Sequence, residues 1–463
     1  MQHRHRIGFF AAAALIGSVV SVAVGSGFGP VPAVHAAGLG AGGEYHPLTP
    51  KRIFDTRTVG VNGATGSISS SSTGGSVAIH VLGQGGVPSG ASDVLAVAMS
   101  ITVVSPTVGG YLQAYPTGSN AGTSSVLNFD AGQTVPNLTV LTIGTSGEVT
   151  VNLVTPTKGK ADVLIDVFGW FSTSTYATSG ARLIPVGPAR LYDSRDTAFA
   201  GAGQPMGQAS TLTIPIRGAD ALYPTLTDVV PNSTDVVGVV LNITGINNLA
   251  GSTNTFMSAL PETPTSAPTT SNLNLAPGQV KANLVIVPVT NADGAIRIYN
   301  NAGRTDVAVD VVGYMKANQD PSTRLGRVIP LSSPFRVFDT RDPAFGGSQL
   351  GPGQAESWSF TQFMSSVMLN GQPVGSQVAL LGNLTGTGLT RVFPTKPAAT
   401  YLTLYPSDAP SRPQSSNINV TEGVNVPNMI VVKVGADGQI KAYNNDGYLH
   451  YLLDVSAVVL SDS

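Results

Sequence analysis

Apolar and polar residues alternate along most of this chain in short runs, and turn-forming Gly, Pro, Asn and Asp break the runs. Alternation places one face of an extended segment toward a core and the other toward water. Gly110-Tyr-Leu-Gln-Ala-Tyr-Pro116 and Thr400-Tyr-Leu-Thr-Leu-Tyr-Pro406 follow this rule and stop at Pro. The runs 149–154, 295–299 and 440–443 are strand-like too, each preceded by a tight-turn signal: Thr145-Ser-Gly-Glu, Asn291-Ala-Asp-Gly or Ala436-Asp-Gly. Other segments do not alternate. Residues 95–104, 236–244 and 378–385 are nearly continuously apolar and β-rich, as are 138–143, 284–289, 429–434 and Val307-Ala-Val-Asp-Val-Val312. Some seven to nine short strands per unit, with turn signals roughly every 8–12 residues, predict an antiparallel sandwich or jelly roll. A helix is expected only near 361–369.

The pattern repeats. Arg-Ile-Phe-Asp-Thr-Arg at 52–57 returns as Arg-Leu-Tyr-Asp-Ser-Arg at 190–195 and Arg-Val-Phe-Asp-Thr-Arg at 336–341. Ser-x-Leu/Ile-Asn ends at Asn128, Asn274 and Asn419; Val-Pro-Asn-Leu at 135–138 matches Lys-Ala-Asn-Leu at 281–284 and Val-Pro-Asn-Met at 426–429. A closing Asp-Val strand holds Asp166, Asp310 and Asp454. Four landmarks in one order, three times, define three homologous copies. Their period exceeds the 20–50 residues of a solenoid unit. The expectation is an all-β chain of three tandem antiparallel β-sandwich (jelly-roll-like) modules at 45–172, 182–315 and 327–460, joined by the polar connectors 172–180 and 316–323. The Ser- and Gly-rich stretches 59–75 and 197–210 are either insertions or edge loops.

Composition narrows the setting. Arg4 and Arg6 precede an apolar run over 7–24, and Val34-His35-Ala36 resembles a signal-peptidase site. This predicts a cleavable secretory signal over 1–36 and an extracellular or cell-surface protein. The alternative is a retained anchor, although a span needs roughly 20 strongly apolar residues. No later run reaches that length, so no membrane span is expected in the mature chain. The formal charge of −2 lacks the basic footprint of a nucleic-acid binder. With no cysteine, stability must come from burial, and disulfides, thiol catalysis and cysteine metal sites are excluded. Charged residues make up only 11% of the chain, alongside 54 glycines and 32 prolines, a composition of strands and turns.

That scarcity draws attention to the recurring charges. On a regular strand Asp55 and Arg57 share a face, as do Asp193 and Arg195, and Asp339 and Arg341, with Arg52, Phe54 and Thr56 opposite. Asp166, Asp310 and Asp454 sit in apolar runs, where a carboxylate needs a partner. The pairing expected is Arg57, Arg195 or Arg341 with the closing Asp of its own copy, locking the first strand to the last. The competing reading, paired carboxylates acting on a glycoside, is disfavoured because an adjacent Arg lowers the pKa that a general acid needs raised. His46, His80 and His450 do not recur between copies, and no nucleophile elbow, zinc or calcium motif is present. No catalytic residue, cofactor or metal is assigned.

Tyr111 and Tyr115 share a strand face, as do Tyr401 and Tyr405; Phe256 and Leu260 are the middle copy's counterparts. Tyr111, Tyr115, Phe256, Tyr401 and Tyr405 are candidate sugar-stacking residues, against the plainer reading of an inner sandwich face. Asn128, Asn274 and Asn419, with Asn137, Asn283 and Asn428, are expected to fix turns through side-chain bonds to the backbone. The sequons at Asn137, Asn242, Asn383 and Asn419 fall on expected strands and are not taken as glycosylation sites.

The Arg-x-aromatic-Asp-Thr-Arg start, the Tyr-Leu-x-x-Tyr-Pro strand, Ser-x-Leu-Asn and the closing Val-Asp-Val-Val-Gly-Tyr together resemble a repeat found in secreted proteins of actinobacteria and other soil bacteria. There it stands in tandem or beside cell-wall hydrolases such as amidases. The resemblance covers essentially the whole chain after the leader and implies a surface or cell-wall accessory module. It brings no assigned catalytic residues. The last copy departs from it, with Ser456-Ala457 in place of Val-Gly. The expectation is a secreted, non-enzymatic envelope or matrix protein whose partners are polysaccharide, cell wall or other surface proteins. The alternatives are a glycan-active hydrolase and an inert spacer.

Overall fold

Each copy starts on a strand that ends at its motif aspartate. The first copy contains β1 (Tyr45–Asp55), β2 (Gly75–His80), β3 (Val94–Val104), β4 (Gly110–Pro116), β5 (Leu127–Phe129), β6 (Thr134–Thr142), β7 (Glu148–Val154) and β8 (Lys160–Ser172). The second contains β9 (Arg182–Asp193), β10 (Ser210–Pro215), β11 (Val236–Asn247), β12 (Thr255–Leu260), β13 (Leu273–Leu275), β14 (Gln279–Pro288), β15 (Ala295–Asn300) and β16 (Asp306–Lys316). The third contains β17 (Val328–Asp339), β18 (Ala355–Ser359), β19 (Gln377–Thr390), β20 (Ala399–Pro406), β21 (Ile418–Thr421), β22 (Val426–Lys433), β23 (Gln439–Asn444) and β24 (Tyr448–Leu460), with the short helix α1 (Thr361–Ser366) after β18. This computed structural model describes residues 20–22, 42–70, 75–174, 176–317, 319–320, 322–345, 347–369, 372–373, 376–392 and 398–462. The expected leader lies outside the described residues apart from Val20–Val22, a strand parallel to residues 356–358. No described helix is long and apolar enough to cross a membrane.

The chain is all-β, and its six main sheets form a propeller-like ring. Strand order is the same in every copy. One sheet runs first, eighth, third, sixth (β1-β8-β3-β6, β9-β16-β11-β14, β17-β24-β19-β22). The other runs second, seventh, fourth, fifth (β2-β7-β4-β5 and its counterparts). All neighbours within these sets of eight are antiparallel. The stretch 197–210 carries the chain from the first sheet to the edge of the second, and within 59–70 Ile68 and Ser69 pair with Ala161 and Lys160 of β8. The turn from β6 to β7 puts Ser146 (φ 60°) and Gly147 (φ 76°) in the left-handed region, which is why Gly closes it.

Burial explains the two sequence patterns. On β7, Val149, Val151 and Leu153 are buried while the residues between them are half-buried, as one-sided strands require. β3 is buried on both faces. Its Val97, Met99, Ile101 and Val103 meet Ile79, Leu112, Leu127 and Val151 of the second sheet in one cluster. Its Leu95, Ala96 and Ala98 join a different cluster, which also takes Leu138, Leu284 and Met429 from the three copies. The second copy has its own two-sheet cluster, with Val239, Leu241, Met257, Ile296 and Val309. The continuously apolar runs are therefore strands of the first sheets, covered outside by the second sheet and inside by the other copies.

The sixth strands β6, β14 and β22 pack against one another around a pseudo-threefold axis. Leu138, Leu284 and Met429 fill its middle, followed by Val140, Ile286 and Val431. At the end where β1 begins, Glu44 accepts from Arg182 Nε (3.1 Å), Arg327 Nη2 (3.2 Å) and the Gly180 amide (2.9 Å). Gly43 and Tyr45 bridge residues 328 and 181 there, so all three copies are tied at this end.

Candidate functional site

The motif arginines do not pair as the regular-strand reading expected. The closing aspartate is held by the first arginine of the motif. Arg52 grips Asp166 through Nε (2.9 Å) and Nη2 (2.9 Å), Arg190 grips Asp310 (2.6 and 3.3 Å), and Arg336 grips Asp454 (2.9 and 2.9 Å). Arg57, Arg195 and Arg341 instead fold back on Asp55, Asp193 and Asp339, two residues away, at 2.6–2.9 Å. The cause is a β-bulge. Phe54 opposes Ile165 while Arg52 opposes Asp166, so Ile53 is an extra residue; Leu191 and Val337 repeat this in the other copies. One extra residue reverses the alternation and brings Arg52 and Asp55 to the same side as Asp166. The first arginine of each motif then bridges two carboxylates, Arg190 reaching Asp193 at 2.7 Å as well as Asp310. The motif hydroxyl is structural as well. Thr56 and Ser194 donate to Asp162 and Asp306 and accept from the Val163 and Val307 amides. In the third copy Thr340 meets His450 and the Tyr451 amide.

Arg57 holds the Asp55 carboxyl below its usual range, chiefly through the side-chain bond. Burial pushes Asp193 and Asp339 up, but the bonds from Arg195 and Arg341 outweigh it, leaving both below the usual range. In Asp310 and Asp454 burial pushes the carboxyl up against the pull of Arg190 and Arg336. These two are 0% and 1% exposed, and the guanidinium group occupies both oxygens, so neither offers a proton to a ligand in a cleft.

The recurring asparagines divide into two sets. Asn128, Asn274 and Asn419 each donate to a serine hydroxyl three residues earlier, at 3.0–3.2 Å. Asn137, Asn283 and Asn428 donate to the carbonyls of residues 126, 272 and 417, tying the sixth strand to the fifth. Neither set makes the short side-chain-to-backbone turn bonds expected, since the first bonds serine hydroxyls and the second reaches carbonyls on a preceding strand segment; two of the second set also join copies. Asn137 donates to Asn383 Oδ1 and accepts from the Met429 amide; Asn428 donates to Asn242 Oδ1 and accepts from the Leu284 amide, all at 2.9–3.0 Å. Where Asn383 and Asn242 stand in the third and second copies, opposite Met429 and Leu284, the first copy has Ser100, opposite Leu138. Ser100 Oγ is buried without a partner. The rung between the first and second copies is therefore missing, and Asn283, 4% exposed, makes only its bond to Asn272 among the described residues. The repeated Asn in an apolar strand was the available signal for these bridges. Nothing in the sequence pointed to Glu44, Arg182 and Arg327.

The axis opens at the end where β6, β14 and β22 begin. A cavity of about 600 Å³ lies there, lined by residues of all three copies. Its walls carry Asn128, Asn274 and Asn419 with Gln133, Gln279 and Asn283, and include no Asp, Glu or His. Lys281 also lines it, at the place held by Val135 and Val426 in the other copies. A second concavity of about 370 Å³, between the first and second copies, shares Gln133, Asn274, Gln279 and Lys281 with it. Burial pushes the Lys281 ammonium below its ordinary value, opposed by the Asp130 charge.

The candidate stacking residues fall in different surroundings. Tyr401 lines the axial cavity, and Arg412 donates to its hydroxyl (3.2 Å) while lying 4.1 Å over the Tyr443 ring. Tyr111 lines a separate hollow of about 270 Å³ with Arg336 and Arg341, between the first and third copies. Tyr115 and Phe256 are half-buried and Tyr405 is buried. The five rings do not make three equivalent shallow grooves. Among the described residues no group of acids and histidines could hold a metal ion.

No family model and no curated protein matches the chain, so the likeness to the actinobacterial repeat remains an expectation. Among solved structures, the chain is similar to the N-terminal CBM22-1-CBM22-2 tandem domain of Paenibacillus barcinonensis Xyn10C, at 13% identity over 66% of this chain and 100% of that one, with a TM-score of 0.16. It is also similar to a chain of Sulfolobus Turreted Icosahedral Virus, at 10% identity over 94% of this chain and 100% of that one, again with a TM-score of 0.16. At these scores neither likeness bears on the fold or the ligand of this chain.

Proposed function

We propose that this is a secreted, non-catalytic protein of the cell envelope or surrounding matrix that binds polysaccharide through the axial cavity. The carrying observation is the character of that cavity: three copies converge on one hollow rich in side-chain amides, with Tyr401 on its wall and no carboxylate or imidazole in its lining. Amides donate and accept at once, which suits the hydroxyls of a sugar, and a concave site with a few convergent polar groups is where binding is expected. The non-catalytic reading is supported by the fate of the recurring acids, all engaged by motif arginines. In this reading each copy is a two-sheet jelly-roll module, and the basic, apolar and small-residue pattern of residues 1–36 directs the chain outside the cell. The reading places one site on each chain. The test is co-sedimentation of the mature chain with purified bacterial cell wall, chitin and cellulose. Retention on at least one, lost in a variant with Asn274→Ala and Asn419→Ala, is expected. No retention on any of them overturns the reading.

A further inference from the structure

We infer that the axial cavity selects an acidic saccharide, whose carboxylate meets Lys281 where the cavity joins the neighbouring concavity. This rests on the polysaccharide reading above and adds the ligand's charge and its placement.

Three observations carry it. Lys281 breaks the threefold pattern, since the other two copies place valine at that position and so line the mouth with apolar side chains. Its ammonium has three donors, yet among the described residues its only acceptor is the Asn274 carbonyl, at 3.4 Å, and it forms no ion pair. A half-buried cation with one long protein hydrogen bond gains from an anionic oxygen delivered by a ligand. Second, Asn283 lies two residues away on the same strand, more than nine-tenths buried, and lines the same cavity. Its Oδ1 lacks the neighbour's amide that Asn137 and Asn428 accept, so an acceptor stands beside the cation for a ligand hydroxyl. Third, Lys281 and Asn274 line both hollows, of about 600 and 370 Å³, a combined volume that holds more than one sugar ring. Because Lys281 occurs in one copy only, the stoichiometry is one ligand per chain.

The test compares polygalacturonate and purified cell wall with the same materials after carboxyl reduction, using the full mature chain. We expect binding to the native acidic polymer at least 10-fold tighter than to the reduced one, weakening with added salt. Lys281→Met brings binding of the native polymer down to that of the reduced one, whereas Lys281→Arg keeps the preference; circular dichroism melts check that both variants fold. Equal binding of native and reduced polymers overturns this inference and leaves the polysaccharide reading intact, a comparison that needs no variant. Binding to none of these polymers overturns this inference, and the polysaccharide reading falls with it only when chitin and cellulose also retain nothing. A preference for the acidic polymer that Lys281→Met leaves unchanged in a folded protein places the charge recognition elsewhere and also overturns it.

Discussion

Asn137 of the first copy donates a 2.9 Å hydrogen bond to Asn383 of the third, 246 residues away, in the buried middle of the molecule. Both amides are otherwise satisfied: Asn383 donates to the Ser125 carbonyl, and Asn137 bonds the residue 126 carbonyl and the Met429 amide. Asn137→Ala strands several buried groups at once, each costing about 1–3 kcal/mol when left unbonded. Urea unfolding is expected to shift to a clearly lower midpoint. Asn128→Ala, which loses one bond to a neighbouring serine, is expected to change it little. Equal midpoints for the two variants would count against the inter-copy bridge.

Ser100 is the defective rung of this ladder. Ser100→Asn supplies the amide that Asn242 and Asn383 already provide in their copies. The expected gain is about 0.5–1.5 kcal/mol, the net worth of one added hydrogen bond. It is read as a higher urea midpoint with an unchanged slope. A lower midpoint would mean that the space beside Ser100 cannot hold the larger side chain.

The two arginines of each motif are not equivalent. Arg190, with a side chain 9% exposed, compensates Asp310 and Asp193, and Arg190→Ala leaves buried charges unmatched at a cost of about 3–5 kcal/mol. Arg195 is half-exposed, and Arg195→Ala costs about 1 kcal/mol or less, because Asp193 keeps Arg190. Thermal or urea unfolding of the two variants orders them directly. The reverse order would restore the pairing expected of a regular strand.

The third motif has a pH signature. Although burial pushes Asp339 up, the bonds from Arg341 leave its folded pKa below the ordinary carboxylate value of about 3.9. A depressed folded pKa means stabilisation that is fully present above the unfolded value and lost as pH falls through the folded one. The stability gap between the native chain and Asp339→Asn, about 1–3 kcal/mol for charge-assisted bonds, is therefore expected to be constant from pH 7 to about 5.5 and to narrow toward pH 3. Urea midpoints at pH 7, 5 and 3 measure it. A gap that widens on acidification would contradict the assignment.

The first arginine of the motif shows how far sequence reasoning reaches. The repeat, the strand positions and the need of Asp166, Asp310 and Asp454 for a cationic partner were all legible, because periodicity and buried charge are local properties. The identity of the partner was not. A single bulge at Ile53, Leu191 or Val337 inverts the face count, and nothing in those apolar residues announces it. The unbroken apolar runs on β3 and β16 were visible as such, but a run buried by its own second sheet reads the same as one buried also by another copy.

By itself, the sequence determined an all-β chain built on three copies of one unit, with a few buried charges that must be compensated. Alternation, turn residues and the cost of an unpaired carboxylate act within tens of residues and leave their mark in order along the chain. Only the tertiary structure decided that the sixth strands meet on one axis, that Asn137 and Asn428 bridge copies while Asn283 does not, and that Lys281 lines a shared cavity. Those relationships join residues more than a hundred positions apart, and their energy arises only when separate faces close on each other and exclude water.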